Sequence, residues 1–115
     1  MAFNLVMKKT YRVRKNEEFA QIIAQKHSKA SAGFVIYSSQ RKMDHARVGI
    51  SVSKKMGDAV TRNRIKRQLR EMIRALIDFE SCDKDLVIIV RKPFLERSFS
   101  DNKNDLEIVL KKAII

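Results

Sequence analysis

Tryptophan is absent from this 115-residue sequence, cysteine and proline occur once each, and glycine occurs three times. One cysteine, Cys82, cannot close an internal disulfide and offers no Cys-x-x-Cys pair for zinc or redox chemistry, so a reducing cytoplasm fits. So little glycine and proline leaves no linker between domains, and the length suits one core, so residues 1–115 are read as a single domain. No apolar run approaches the ~20 residues of a membrane-spanning helix. Met1 to Met7 holds Phe3, Leu5 and Val6 but lacks a charged start, a long apolar core and a cleavage site, and is not read as a signal peptide. A Gly-rich phosphate loop is also missing, which argues against ATPase chemistry.

Acidic residues are scarce as well: 13 against 25 lysines and arginines, for a formal charge of +12. That exceeds the magnitude of about 2–8 that solubility favours in a small domain. Self-repulsion on this scale costs stability and points to a polyanionic partner. With no candidate membrane segment, nucleic acid is the expected one.

The apolar 44% of the chain falls into periodic segments. Asn16-Glu17-Glu18 reads as a helix start, with Asn16 as cap and the glutamates at the positive end of the dipole; Phe19, Ile22 and Ile23 follow at helical spacing. The helix should end near Lys26 to Ser28. Phe34 to Ser39 is rich in β-branched and aromatic residues. Arg47 to Ser53 alternates, with Val48, Ile50 and Val52 on one face. Polar Arg41 to His45 between them suggests an antiparallel hairpin. Asp85 to Val90 is almost continuously apolar, as in a strand covered on both sides. A long helix capped by Asp58 or Thr61 runs to about Phe79 on Ile65, Leu69, Met72, Ile73, Leu76 and Ile77. A last helix runs from Ser100 or Asp101 to Lys112. The order α-β-β-α-β-α describes an α+β domain with helices packed on a small sheet.

On a helical wheel of the long helix, Asn63, Arg67, Arg70 and Arg74 share one stripe away from the apolar face. Arg64 lies further round with Gln68 and Glu71. Lys66 sits at the border, where its stem can pack while its ammonium reaches solvent. Arg62 maps towards the apolar side, in a first turn whose register is least certain. A solvated helix face usually mixes charge signs for i,i+4 pairs, yet Glu71 is the one nearby acid. Arginine predominates, and its planar fork matches phosphate oxygens. Charge alone does not say which nucleic acid is bound.

The run from Arg47 to Arg67, Arg-Val-Gly-Ile-Ser-Val-Ser-Lys-Lys-Met-Gly-Asp-Ala-Val-Thr-Arg-Asn-Arg-Ile-Lys-Arg, resembles the signature of the bacterial ribonuclease P protein family. Lys15 to Phe19, Phe34 to Tyr37 and Val87 to Pro93 match in order, and the resemblance covers about residues 9–113. It implies a two-layer α/β sandwich with a small mixed sheet, like a domain of ribosomal proteins, and a left-handed β-α-β crossover that the usual rule argues against. It implies two partners, ribonuclease P RNA and precursor tRNA, and makes Lys54, Lys55, Arg62, Asn63, Arg64, Lys66, Arg67 and Arg70 RNA contacts, to which the helical wheel adds Arg74. The tRNA 5′ leader is expected in a cleft lined by Phe19, Ile23 and Tyr37, whose rings suit stacking on bases of any sequence. For Phe19 a place in the core remains an equal reading. Ile23 stands where many relatives carry a second aromatic, which suggests apolar contact there.

The polypeptide offers no catalytic set of its own. His27 and His45 lie in separate polar connections, and the aspartates and Cys82 show no metal-site spacing. In the resembled enzyme the chemistry belongs to the RNA subunit and the Mg2+ it requires, the protein binding no cofactor. A structural RNA-binding protein such as a ribosomal component would share the charge and fold, but not the long Arg47–Arg67 string. A DNA-binding role is weaker, because the helix must turn its apolar face to the sheet.

Overall fold

The computed structural model describes residues 9–114; the amino-terminal Phe3, Leu5 and Val6 lie outside them. Helices α1 (Asn16–Ala24), α2 (Ala59–Leu76) and α3 (Phe99–Ile114) surround strands β1 (Ser28–Ala30), β2 (Phe34–Gln40), β3 (Val48–Ser51) and β4 (Lys84–Val90). The sheet order is β1-β2-β4-β3, with β2 antiparallel and β3 parallel to β4. The fold is a mixed α/β arrangement with helices flanking a small mixed sheet.

The hairpin expected between the second and third strand-like runs does not form. β4 lies between them, because its two apolar faces and both edges call for a central position. The polar Arg41–His45 stretch instead crosses the end of β4 and is pinned there. Arg41 N donates to Asp83 O at 3.2 Å, its Nη1 to Cys82 O at 3.0 Å, and Ala46 N to Phe79 O at 2.7 Å.

Helices cover both faces, so the two-layer expectation is corrected to three layers, one of them incomplete. On one face Ile65, Leu69, Met72 and Ile73 of α2 and Leu106, Val109 and Leu110 of α3 pack on Phe34, Ile36, Leu86 and Ile88. On the other, α1 alone sets Ile22 on Val13 and Val87, with Phe19, Ile23, Tyr37 and Ile89 around them. One nine-residue helix is too short to cover a four-stranded face, and part of that face stays open.

Two sequence details come out differently. Asn16 is not the cap of α1; Lys15 holds that position with no side-chain cap, and its carbonyl accepts from Glu18 N and Phe19 N at 3.0 and 3.1 Å. β1, three exposed residues, carries no periodic signal. At α2 the expected Asp58 cap is present, its Oδ1 accepting from Thr61 N at 2.9 Å. Gly57 before it has φ +140°, a backbone that side-chain-bearing residues rarely adopt.

Candidate nucleic-acid interface

Strand register arranges the open face in rows. Tyr37, Val87 and Gly49 are partners across β2, β4 and β3, and Val35, Ile89 and Ser51 form the next row on the same side. Phe19 of α1 lies directly over Gly49: a Cβ built there would stand 2.6 Å from Phe19 Cζ. The helix is held at this depth by Arg47. Its Nη1 pairs with Glu18 of α1 at 2.6 Å and its Nη2 with the buried Asp85 of β4 at 3.4 Å. Burial alone would lower the Arg47 pKa, but the Glu18 hydrogen bond and the charges of Asp85 and Glu18 outweigh it and raise the value.

Beside this clamp, a groove of about 550 Å³ runs along β3 from α1 to α2. Phe19 and Ile23 supply its apolar wall, Lys66 and Arg70 its cationic one, and Arg12, Arg14, Asn16 and Ser51 complete it. No carboxylate of the described residues lines it. Partial burial first, then the positive charge of Arg12, push the Arg70 guanidinium below its ordinary pKa. Two like charges facing one groove repel each other, and an anion between them relieves that repulsion. The Nε atoms of Arg70 and Arg74 are buried with no hydrogen-bond partner among the described residues.

Along α2 the remaining cations spread over more than one side. Asn63, Arg64 and Arg67 are exposed, and Lys66, Arg70 and Arg74 are half-buried. Arg62 folds back on the preceding turn, its Nε donating to Gly57 O at 3.2 Å. Lys54 and Lys55 are exposed in a short 3-10 turn anchored by buried Met56. Thus Lys66 and Arg70 share a groove with Phe19 and Ile23. Tyr37 joins the same apolar cluster but stands off the groove wall, and Arg64 lies against a different groove. Arg12 and Arg14 were not picked out by sequence reasoning; the alternation Arg12-Val13-Arg14, with Val13 buried, was the available signal.

A family model described as Ribonuclease P matches residues 7–114. The chain belongs to the ribonuclease P protein family. It is 47% identical over 111 residues to the ribonuclease P protein component of Lactococcus lactis, covering 96% of this chain and 94% of that one. To that of Bacillus mycoides it is 44% identical over 108 residues, covering 93% and 94%. A solved structure of a Staphylococcus aureus RNase P protein mutant with defective mRNA degradation activity superposes with a TM-score of 0.83 at 41% identity, covering 98% and 96%. The RNase P protein of Thermotoga maritima gives 0.76 at 31% identity, covering 88% and 96%.

For a ribonuclease P protein, the groups a protein nuclease would use are dispersed. His27 is exposed, while His45 sits edge-on to Tyr11 with Nδ1 3.0 Å from Ala46 O. Cys82 is buried and free. Among the described residues no three His, Cys, Asp or Glu side chains gather to hold a metal ion. Nor is any described helix long and apolar enough to cross a membrane.

Proposed function

We propose that this chain acts in the cytoplasm as the single-domain protein subunit of ribonuclease P, binding the catalytic RNA and the 5′ leader of precursor tRNA to promote removal of the leader. The observation that carries this reading is the groove in which Phe19 and Ile23 face Lys66 and Arg70 with no carboxylate of the described residues on its lining. An aromatic wall opposite a cationic one suits a single strand of any sequence: bases lie on the ring while phosphates meet the guanidinium. The leader occupies this groove and continues over the open rows towards Tyr37. The exposed cations Lys54, Lys55, Asn63-flanking Arg64, and Arg67, with Arg62 and Arg74, face the RNA subunit. The β3–α2–β4 connection is taken as the left-handed crossover of the family, and the fold as that of the ribosomal-protein-like domain, both on the family resemblance.

Divalent ions bound by the RNA supply water activation and leaving-group stabilisation. This chain's residues position the leader beside them and lower the phosphate repulsion that opposes both leader and ion binding. Reconstitution with ribonuclease P RNA at low magnesium tests the reading. The protein should stimulate 5′ cleavage of a precursor tRNA, and Phe19→Ala should weaken precursor binding by about 5- to 150-fold while sparing mature tRNA. No stimulation would sink the proposed role. Equal losses for both tRNAs would assign Phe19 to the core or to general RNA binding.

A further inference from the structure

The leader reading leaves one flank of α2 unused. On the side away from Lys66 and Arg70, Arg64 and Gln68 face the 3-10 turn Lys92–Glu96 and the start of α3 across a second groove, of about 210 Å³. Drug-sized sites occupy about 300–1,000 Å³, so this one takes a single ring system. Its floor is apolar, with Ile65 and Phe94 both buried.

Its rim combines exposed apolar side chains with two arginines. Phe99 continues the buried stripe of α3 one turn beyond Asn102 and Leu106, and there it is 40% exposed; Leu95 beside it is 48% exposed. Arg64 and Arg97 stand on the same lining, which includes no carboxylate among the described residues. Arg97 is steadied from outside the groove by Asp105 at 3.3 Å. Asn102 also lines the groove and is only 2% exposed. Its Nδ2 donates to Phe94 O at 3.0 Å, and its Oδ1 is buried without a hydrogen-bond partner among the described residues.

We propose that this second groove captures one unstacked nucleotide of the ribonuclease P RNA, its base on the Phe99 ring and its backbone phosphate on Arg64 and Arg97. The inference rests on the reading of α2 as an RNA-binding helix. Splayed-out bases of folded RNA are recognised by stacking on aromatic rings and guanidinium planes, with hydrogen bonds to the base edge. The two arginines favour a nucleotide over an apolar peptide, which would leave Arg64 without a counter-charge and Arg97 with Asp105 alone. Asn102 Oδ1 is an acceptor that an exocyclic amino group of the base would satisfy. On this arrangement α2 is gripped on both flanks, by the leader on one and by the catalytic RNA on the other.

The absence of tryptophan makes the test direct, because Phe99→Trp introduces a single indole whose emission can be excited apart from the two tyrosines. Titrating that variant with ribonuclease P RNA should quench the indole while preserving affinity. Phe99→Leu, which keeps apolar bulk but removes the stacking face, should bind this RNA about 5- to 150-fold more weakly. The precursor-to-mature tRNA affinity ratio of the reconstituted enzyme should stay unchanged. Emission unmoved at saturating RNA, or Phe99→Leu binding like the wild type, overturns the proposal. Quenching by precursor tRNA alone also overturns it, by placing the nucleotide in the substrate. Arg67→Ala separates the two levels. If it weakens RNA binding while Phe99→Leu does not, the second groove alone fails; if neither variant has an effect, the RNA-binding reading of α2 fails too.

Discussion

At position 49 the missing side chain decides where the Phe19 ring can lie. A Cβ there would approach Phe19 Cζ to 2.6 Å and Val13 Cβ to 3.1 Å, far inside ordinary contact. Gly49→Ala should therefore cost about 1–3 kcal/mol in urea denaturation through overpacking. It should also lower the preference of the reconstituted enzyme for precursor over mature tRNA. With Phe19→Ala already in place, the added alanine should do little further harm, and a double-mutant cycle measures that coupling. Additive losses would show that ring and glycine act separately. The sequence displayed Gly49 as one small residue on the polar side of an alternating strand. Nothing local named the ring above it, because that contact spans thirty residues of chain. Arg47 shows the same limit: alternation placed it on the polar side, whereas Glu18 and Asp85 bury it as an ion pair.

Among the elements, α2 was the most legible, because its period, its Asp58 cap and its cationic stripe are all local. The cap carries a pH signature. Hydrogen bonds from Thr61, backbone first, hold the Asp58 carboxyl below its usual range, with Arg62 and Arg64 adding to the effect. A lowered folded-state pKa gives stability that is fully present above the unfolded value of about 3.9 and is lost as pH falls through the folded value. Asp58→Ala should thus melt below the wild type at neutral pH and converge on it in acid. Asp58→Asn, which caps without titrating, should stay above Asp58→Ala throughout. A constant gap between wild type and alanine at all pH values would remove the charge from the account. Strand pairing was less legible. Period-two patterning gives a strand its faces but not its neighbours. Leu86 to Val90, apolar on both sides, was the residue-level sign of a central strand, and placing it between β2 and β3 would have ruled out the hairpin. The groove that joins α1 to α2 follows from that placement, so it could not be read before the sheet order was known.

For the whole molecule, half of the charge of +12 comes from residues 54–74, where eight lysines and arginines meet two acids, Asp58 and Glu71. If about six cations neutralise phosphates, log K against log salt should fall with a slope of about −4 to −5. Removing Arg67 should make the slope shallower by about 0.7–0.9. An unchanged slope would mean that Arg67 is merely solvated. The sheet order has a consequence in time as well as in space. Among the described strands β3 pairs with β4, which leaves the ribosome after the whole of α2. At about 5–20 residues per second, roughly 2–8 s separate the synthesis of Ser51 from that of Val90. Of that interval about 0.7–3 s follow the synthesis of Leu76, when the finished arginine-rich helix still lacks β4 beneath its apolar face. The last strand to be made is thus the one that turns a sticky cationic segment into a shaped surface. A nascent chain halted before Lys84 would carry the charge of this protein without its selectivity.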